Sequence, residues 1–450
     1  MDLEESPLWN EVQTILKEGP KPIAYYWKGE FHPPDNEKID IMKIISIDNI
    51  CNYEANFGDE LIIETIVLMG DYIKIIYPNR SKLDITIFKE PLIEIGEAER
   101  LNDFKESERF KAVPILEGLP TFEGSDLDIH NKFSLNLQTP LTISFQLFNR
   151  SLEKLRTVTV GGVYRKVLNE EVVKATLTIE SLKVRVGGVP SILAVDVVPS
   201  DNLVKREHTI IPQGVKLLSL STYVQEKCNG IYNYGIGTYL QRKVWYVYPL
   251  FNTKRFNEAP IKAIIYKIPK NKLHGVERTY RVDGKTIHIL ATSSSNFEDD
   301  ANTNFMNEGN GVRLADAKQF MNKPNKTFDN KTVINRKTLN NEVVYGAKED
   351  GLNVMFNSFD VIGDNMFLEK TRIAARDGSI VTFAWDNANP KYLIPGMMMK
   401  IVYMDNDVMQ ELTGVLLSNQ VFVQLNGTGI TIKRHITTCN LSIFVNKVKK

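Results

Sequence analysis

Residues 60–70, ELIIETIVLMG, and residues 82–88, KLDITIF, decide the fold class of this chain. Both segments are rich in β-branched and aromatic residues, which favour strands, and polar residues separate them. Residues 72–78, YIKIIYP, have the same character and are predicted to form a further strand. Similar segments recur at 39–47 and 141–148, and such strands in succession predict an antiparallel barrel or sandwich.

This first barrel is predicted to span residues 38–149, with a helical arm before it at residues 1–37. In the arm, Ser6 is a candidate N-cap, Pro7 suits the first helical position, and Gly19 ends the helix. The helix has one apolar face, which is expected to pack either on the chain's own domains or on a neighbouring subunit. That face comprises Leu8, Val12, Ile15 and Leu16. Within the barrel range, the polar residues 94–136 are predicted to form a loop excursion.

Residues 150–259 are predicted to form a small α/β connecting domain, because helical and strand patterns mix there. Residues 167–184, VLNEEVVKATLTIESLKV, begin with helical spacing and continue with the alternation of a strand. Residues 212–232 predict a helix, for which Gly230 is the C-terminal stop. Residues 243–251, KVWYVYPLF, predict an aromatic strand that is buried on both faces.

Strand patterns return after residue 260, and residues 260–450 are predicted to form a second barrel. Its first hairpin turns at Asp283-Gly284, a favoured turn dipeptide. A long Asn-rich loop is predicted at about 296–364, because residues 296–342 contain eleven asparagines and few large apolar residues. The predicted fold is therefore α+β and mainly β, with two antiparallel β-barrel domains flanking a small α/β domain.

The composition gives no sign of a nucleic-acid-binding or membrane protein. Lys plus Arg and Asp plus Glu both number 55, so the net charge is zero. We expect no membrane insertion, because no apolar run approaches the roughly 18 residues of a membrane helix. Cys51, Cys228 and Cys439 are few, odd in number and far apart, which predicts folding in a reducing compartment without a disulfide framework.

No catalytic, cofactor-binding or metal-binding residue is assigned from the sequence, and the chain is predicted not to be an enzyme. It has no GxSxG motif, and its histidines are too scattered for a metal pair on one element. They are His32, His130, His208, His274, His288 and His435. The neighbours Asp59 and Glu60 are expected to point to opposite faces of a strand. The acids of 298–300 could bind calcium, but they lack the order of an EF-hand loop.

The densest aromatic cluster lies at residues 232–251, close to four basic residues. It could stack nucleic-acid bases, but a packed aromatic core with one side facing a partner subunit is the preferred interpretation. The aromatic members are Tyr232, Tyr234, Tyr239, Trp245, Tyr246, Tyr248 and Phe251, and the basic ones are Arg242, Lys243, Lys254 and Arg255.

In order along the chain, these segments resemble the baseplate hub protein of contractile-tailed bacteriophages. Residues 62–92 resemble the family's first barrel, and residues 161–184 and 210–256 its middle α/β region. Residues 392–407, 411–418 and 437–446 resemble its closing barrel, where a Pro-Gly turn leads into a strand and the last strand ends in Asn. The likeness is one of layout and residue character, and it covers roughly residues 38–447.

The resemblance implies two tail-tube-like barrels per chain and a homotrimer, hence a pseudo-sixfold ring that joins the sixfold tail tube to the threefold central spike. It implies a structural virion protein of the tail baseplate, assembled in the host cytoplasm without cofactors. The expected partners are the tail tube protein, the central spike and other baseplate proteins. DNA is expected to pass through the lumen without specific binding. The acids near strand ends, Asp59, Glu60, Asp71 and Asp84, are candidates to line this channel or to lie on a solvated barrel rim.

Three other functions are compatible with the same residues. One is another tail-tube-like virion component. A second is a peptidoglycan-degrading or carbohydrate-active β-protein, which would show a cleft with an acid of raised pKa. A third is a monomeric β-protein that uses the aromatic cluster as a ligand pocket.

Overall fold

Two β-barrels built from one continuous sheet form the centre of the computed structural model, and a smaller α/β domain packs beside them. The predicted fold, α+β and mainly β with two barrels flanking an α/β domain, is confirmed. The structure describes residues 7–20, 25–34, 37–92, 106–119, 136–273, 276–293, 333–339, 342–349, 352–353, 365–405, 408–426 and 434–446.

The first barrel draws its strands from both ends of the chain. Antiparallel pairing runs through β3, β4, β7, β6, β5 and β1, and then through two strands at the C-terminus that close the ring. The N-terminal strands are β1 (Tyr25–His32), β2 (Ile39–Asp40), β3 (Lys43–Asn52), β4 (Glu60–Leu68), β5 (Asp84–Pro91), β6 (Glu106–Ile115) and β7 (Pro140–Asn149). A short helix α2 (Met69–Asp71) and a π-helix (Tyr72–Ile76) follow β4.

The second barrel closes through the same two C-terminal strands. Its strand β15 is parallel to both of its neighbours, whereas the other pairings of the continuous sheet are antiparallel. Its strands are β15 (Lys262–Lys267), β16 (Tyr280–Asp283), β17 (Thr286–Ser293), β21 (Gly378–Trp385), β22 (Met398–Asp405), β23 (Val408–Leu425) and β24 (His435–Asn446). Separate from this sheet, β18 (Val333–Leu339), β19 (Glu342–Glu349) and β20 (Leu352–Asn353) pair with one another.

The long hairpin β23–β24 is shared by the two barrels. The first half of β23 pairs with β22 of the second barrel, and the second half, from Ser418 onwards, pairs with β3 of the first. A bulge between Leu416 and Ser418 separates the halves, and bulges bend strands in this way. Gly414 is needed just before it, because a Cβ atom there would lie 2.4 Å from the carbonyl oxygen of Phe444. The buried side chains of both barrels accordingly form one contiguous core.

Helix α1 (Pro7–Glu18) packs on the chain's own second barrel. Leu8, Val12 and Ile15 are each 1% exposed and contact a patch that includes Tyr266 and Leu290. Of the two arrangements open from the sequence, the structure therefore has the helix on its own chain. The predicted cap Ser6 lies outside the described residues.

The connecting domain has a core of its own, built around helices and three small sheets. Its strands are β8 (Thr159–Tyr164), β9 (Arg185–Val186), β10 (Val189–Pro190), β11 (Ala194–Val197), β12 (Thr209–Lys216), β13 (Gly237–Gln241) and β14 (Val244–Tyr248). Its helices are α3 (Arg150–Leu155), α4 (Asn169–Lys183) and α5 (Leu220–Lys227), with 3-10 turns at Leu217–Ser219 and Thr253–Asn257. Outside it lie α6 (Met366–Arg376) and the 3-10 turns Lys270–Lys272 and Pro390–Tyr392.

Several local predictions were wrong. The segment 72–78 begins as a π-helix and not as a strand, and 169–183 is helical throughout, without the predicted change to a strand. Strand β1 lies inside the predicted helical arm, β6 lies inside the predicted loop excursion, and β18, β19 and β20 lie inside the predicted Asn-rich loop. Residues 294–332 lie outside the described part of the chain. The proposed division into domains at 38–149, 150–259 and 260–450 stays a prediction.

Candidate functional site

The first barrel has one broad sheet face with half-exposed side chains, which borders helix α3 at the end of β7. It is formed by β24, β23, β3, β4 and β7, which are neighbours in that order. Alternate residues of these strands, such as Ile47, Ile63 and Val423, are at most 4% exposed and point into the barrel. The residues between them form the opposite, solvent-facing side, which we call the open face.

The open face carries carboxylates and amides. Its carboxylates are Asp48 on β3 and Glu60 and Glu64 on β4. One part of the face lies level with β3 from its bulge at Ile44/Ser46 to its last residue. In that part, the outward-pointing described residues of the five strands include no Lys or Arg. Lys43, beyond the bulge, is the nearest cation along β3. The open face therefore has an acidic character in a chain of zero net charge.

Neutral donors hold two of these carboxylates in place. Gln420 Nε2 on β23 lies 3.2 Å from each carboxylate oxygen of Asp48 and donates to them. The Ser46 hydroxyl donates to Glu64 Oε2 over 3.3 Å. Because the donors are amide and hydroxyl groups, these contacts leave the negative charges uncompensated.

At one end of the same barrel, inward-pointing polar side chains meet the connecting domain; we call this region the barrel mouth. The Tyr239 hydroxyl on β13 donates to Asp59 Oδ1 over 2.7 Å, and Asn49 Nδ2 donates to Asp59 Oδ2 over 3.5 Å. Burial raises the pKa of Asp59, and hydrogen bonds from Tyr239, Cys51 and Asn49 oppose that rise. The next residue, Glu60, is exposed on the open face, so the prediction that the two acids point apart is confirmed.

Glu108 on β6 lies at the barrel mouth and accepts a hydrogen bond of 2.9 Å from Asn149 Nδ2. Crowding by protein atoms removes part of its hydration and raises the pKa to about 7, and the negative charge of Asp59 adds to the rise. By surface area the side chain is still exposed at the open end of the barrel, so water screens its interactions and the effect of the shift on stability is small.

A raised carboxyl pKa makes the stability of the first barrel depend on pH. The folded protein holds the Glu108 proton up to about pH 7, whereas the unfolded chain releases it near the ordinary value of 4.5. Stability is therefore expected to fall as pH rises from about 4.5 through 7. Glu108→Gln should raise the melting temperature more at pH 8 than at pH 5. An equal difference at both pH values, measured by calorimetry, would contradict the assignment.

Two cavities adjoin the loop between β3 and β4. The one beside Asp59 has a volume of about 50 Å³, far below the roughly 300–1,000 Å³ of ligand sites, so a sugar ring has no room next to this acid. The other has a volume of about 380 Å³ and is open to solvent, and its charged lining residues are Glu60, Arg156 and Lys216. Asp59, one of the acids of raised pKa, thus lies in the cavity that is too small for a substrate.

The described histidines have structural environments. His435 is 8% exposed, and its Nε2 lies 3.0 Å from the Ile44 carbonyl oxygen. His32 Nε2 lies 2.8 Å from the Thr86 hydroxyl, and His288 Nδ1 lies 3.1 Å from the Tyr266 hydroxyl. His208 is exposed, and His130 and His274 lie outside the described residues.

The sequence also raises a candidate calcium site at 298–300 and three cysteines without a disulfide framework. Among the described residues, no three His, Cys, Asp or Glu side chains are grouped as metal ligands, and the 298–300 acids are not among those residues. Cys51, Cys228 and Cys439 are buried free thiols. No helix in the described part of the chain is long and apolar enough to cross a membrane.

The aromatic cluster is largely buried in the structure. Tyr232, Tyr239 and Trp245 are 0% exposed, and Trp245 Nε1 donates to the Ser181 hydroxyl over 3.1 Å. Tyr248 and Phe251 are also buried, at 2% and 8% exposure, so these rings cannot form a stacking platform for bases. One nearby cation is structural as well, because Arg242 Nη2 donates to the Pro390 carbonyl oxygen over 3.0 Å.

The expected candidates for the channel lining are Asp59, Glu60, Asp71 and Asp84. Only Glu60 lies on the open face. Asp59 points into the barrel mouth, Asp71 ends α2, and Asp84 is 4% exposed and paired with Arg109 at 2.8 Å and with Arg150. Asp48 and Glu64 were missed, although strand alternation places them on the same side as Glu60.

No protein-family model and no curated protein sequence matches the chain. Among solved structures, a tail protein from Neisseria meningitidis MC58 is similar with a TM-score of 0.40 and 8% identity, covering 93% of this chain and 96% of that one. The prophage MuSo2 43 kDa tail protein from Shewanella oneidensis has a TM-score of 0.42 and 8% identity, with coverages of 92% and 96%.

A chain of the Francisella PdpA-VgrG complex has a TM-score of 0.32 and 10% identity, covering 98% of this chain and 56% of that one. The first two of these solved structures are tail proteins, one of them from a prophage.

Proposed function

We propose that the chain is a structural baseplate hub subunit, which forms a homotrimeric, pseudo-sixfold ring between the tail tube and the central spike. The observation that carries the proposal is the hairpin β23–β24, which fixes two barrels side by side in one chain. Three such chains would place six barrels around one axis, which matches a sixfold tube on one side and a threefold spike on the other. The sequence resemblance supports the same arrangement.

We further propose that the open face lines the lumen of the ring and lets DNA pass without binding it. Lys and Arg side chains that neutralise phosphates retain DNA, with an affinity that falls steeply with salt. The open face presents Asp48 and Glu64, which repel a polyanion, whereas Glu60 at its edge lines a cavity together with Arg156 and Lys216. One of its amide donors, that of Gln420, is engaged with the carboxylate of Asp48.

Self-association is the first expected result. Sedimentation equilibrium of the purified chain should give the mass of a trimer, alone or with tail tube protein or spike added. A chain that stays monomeric at tens of micromolar under all three conditions would overturn the proposal. In that outcome, the ligand-binding and carbohydrate-active alternatives would gain support.

Charge reversal on the open face should create the DNA binding that the wild-type ring lacks. Asp48→Lys combined with Glu64→Lys places two cations on adjacent strands of the face. Rings of this variant should bind short duplex DNA, and the slope of log K against log salt should steepen by about one per added lysine. The matched control is Asp283→Lys with Glu258→Lys, two exposed acids away from the face.

The wild-type ring should show no submicromolar binding of the same duplex at physiological salt. Tight, salt-dependent binding by the wild type would contradict the conduit and favour a nucleic-acid-binding role. Equal gains of affinity in the face variant and in the control would contradict the placement of the open face in the lumen.

A further inference from the structure

One end of the connecting domain exposes apolar side chains on an ordered backbone; we call it the ribbon end. Val163 and Ile210 are cross-strand neighbours in the two-stranded ribbon β8–β12, and they are 61% and 59% exposed. In the segment that leads into β12, Leu203 is 75% exposed and Val204 61%. Single exposed apolar residues are normal on a protein surface, whereas four large ones in one small region are typical of an interaction surface.

The exposed segment is held by specific hydrogen bonds. The Val204 backbone N–H donates to Asn202 Oδ1 over 3.2 Å, and the side chain of Asn202 is 4% exposed. The Lys166 backbone N–H donates to the Arg206 carbonyl oxygen over 3.0 Å, which ties the segment to the end of β8. The apolar side chains are therefore held in position at the surface.

The ribbon end is also basic. Its carboxylates are Glu207, which lies 3.4 Å from Arg165 and 3.7 Å from Lys166, and Asp201 at the start of the segment, so four basic residues still leave an excess of positive charge. The four basic residues are Arg165, Lys166, Lys205 and Arg206, and all are exposed.

A second exposed surface has the opposite charge; it is the end of the hairpin β22–β23, which we call the hairpin end. Val408 and Met409 are 56% and 42% exposed there. The described residues on either side are Asp405, Gln410 and Glu411, all exposed, with carboxylates and no cation among them. Glu411 pairs with Lys400 at 2.9 Å, whereas Asp405 extends the acidic edge towards the tip.

We propose that the ribbon end of one copy docks on the hairpin end of the next copy in the ring. Each surface offers exposed apolar side chains, and their charges are opposite, so the contact would bury apolar area and match charge. The two surfaces lie on different elements, so the contact is head-to-tail, which builds a ring when the rotation between neighbouring copies closes. The inference rests on the proposed ring and adds one of the contacts that build it.

A second copy explains the ribbon end better than nucleic acid does. A polyanion would contact the four basic residues but would leave Leu203 and Val204 in water. An acidic surface with its own apolar residues, such as the hairpin end, would contact the basic residues and also cover Leu203 and Val204. Nucleic acid remains a distinct outcome of the experiment.

The experiment measures self-association of full-length variants by sedimentation at low and moderate salt. Leu203→Asp is expected to weaken association at least about tenfold, because it places a charge in the apolar contact. Lys205→Glu with Arg206→Glu should weaken it about fivefold or more, with a smaller effect at high salt. Adding Asp405→Lys to that double variant should restore association, while Asp405→Lys alone should weaken it.

The matched control is Lys254→Glu, an exposed basic residue of the same domain outside the ribbon end. It should associate like the wild type, and every variant should keep the wild-type melting temperature. If rings form equally well in all variants, the docking contact is wrong and the ring itself stands. If the wild type is monomeric under every condition, the proposed function and the contact both fail. If the ribbon variants lose binding to duplex DNA and keep association, the ribbon end is a nucleic-acid surface.

Discussion

Replacement of Trp245 by alanine is expected to lower the free energy of unfolding of the connecting domain by about 3–5 kcal/mol. The side chain is 0% exposed in the central strand of the sheet β11–β14–β13, and its indole N–H is bonded to Ser181 of α4. Its removal leaves a cavity and an unpaired buried hydroxyl. A loss of this size is a large share of the roughly 5–15 kcal/mol that stabilises a domain.

The measurement is thermal and denaturant unfolding of Trp245→Ala, with sedimentation of the same samples. Stability and assembly should be lost together, because Tyr239 and Tyr248 of this sheet reach Asp59 and the Tyr53 carbonyl oxygen in the first barrel. The matched control is Tyr246→Ala, one residue along on the opposite face of the strand and only half-buried, which should cost less. A variant that folds like the wild type but loses sugar or nucleic-acid binding would instead make the aromatic cluster a ligand platform.

Substitution of Leu441 by aspartate is expected to destabilise both barrels at once, by about 3–5 kcal/mol or more. Leu441 is 0% exposed on β24, where its cross-strand partners are Phe383 of the second barrel and Asn419 of the shared strand β23. A carboxylate there would lie in the contiguous core without a counter-charge. Because β24 closes both rings of strands, neither barrel should retain its packing.

Hydrogen exchange resolved along the chain would test this. Protection should fall together in β4 of the first barrel and β22 of the second. The control Asn440→Asp introduces the same group one residue earlier, at an exposed position on the other side of β24, and should resemble the wild type. Loss of protection confined to the second barrel would show that the barrels fold separately and would support the predicted boundaries at 149 and 260.

Sequence patterns predicted those strands, helix ends and turns whose form depends on residues close together in the sequence. Segments rich in β-branched and aromatic residues predicted β4, β5 and β7, because such side chains suit a half-buried pleated sheet. Gly230, with a φ angle of +71°, follows α5 as expected for a C-terminal stop. The Asp283-Gly284 turn likewise joins β16 to β17. The buried Trp245 and the opposite directions of Asp59 and Glu60 were predicted on the same grounds.

Where the patterns failed, tertiary contacts decided the outcome. The segment YIKIIYP has strand propensity, but Tyr72 and Ile76, both 0% exposed, enter the first barrel's core from a π-helix. Glu106 and Glu108 have little strand character, yet β6 forms because β5 and β7 pair with it on both sides. Strand pairing of this kind is set by neighbours that are distant in sequence.

The mainly β class, the α/β connecting domain and the N-terminal helix each follow from composition and periodicity within one segment of the chain. The closure of both barrels by one C-terminal hairpin does not, because backbone hydrogen bonds between strands far apart in sequence leave no local pattern. Asn49 and Val421 are such a pair. The same long-range pairing collects Asp48, Glu60 and Glu64 on the open face and brings Tyr239 to Asp59. The side of a strand to which a side chain points follows from alternation within its own segment. The residues that it contacts depend on which distant strands pair when the sheet closes.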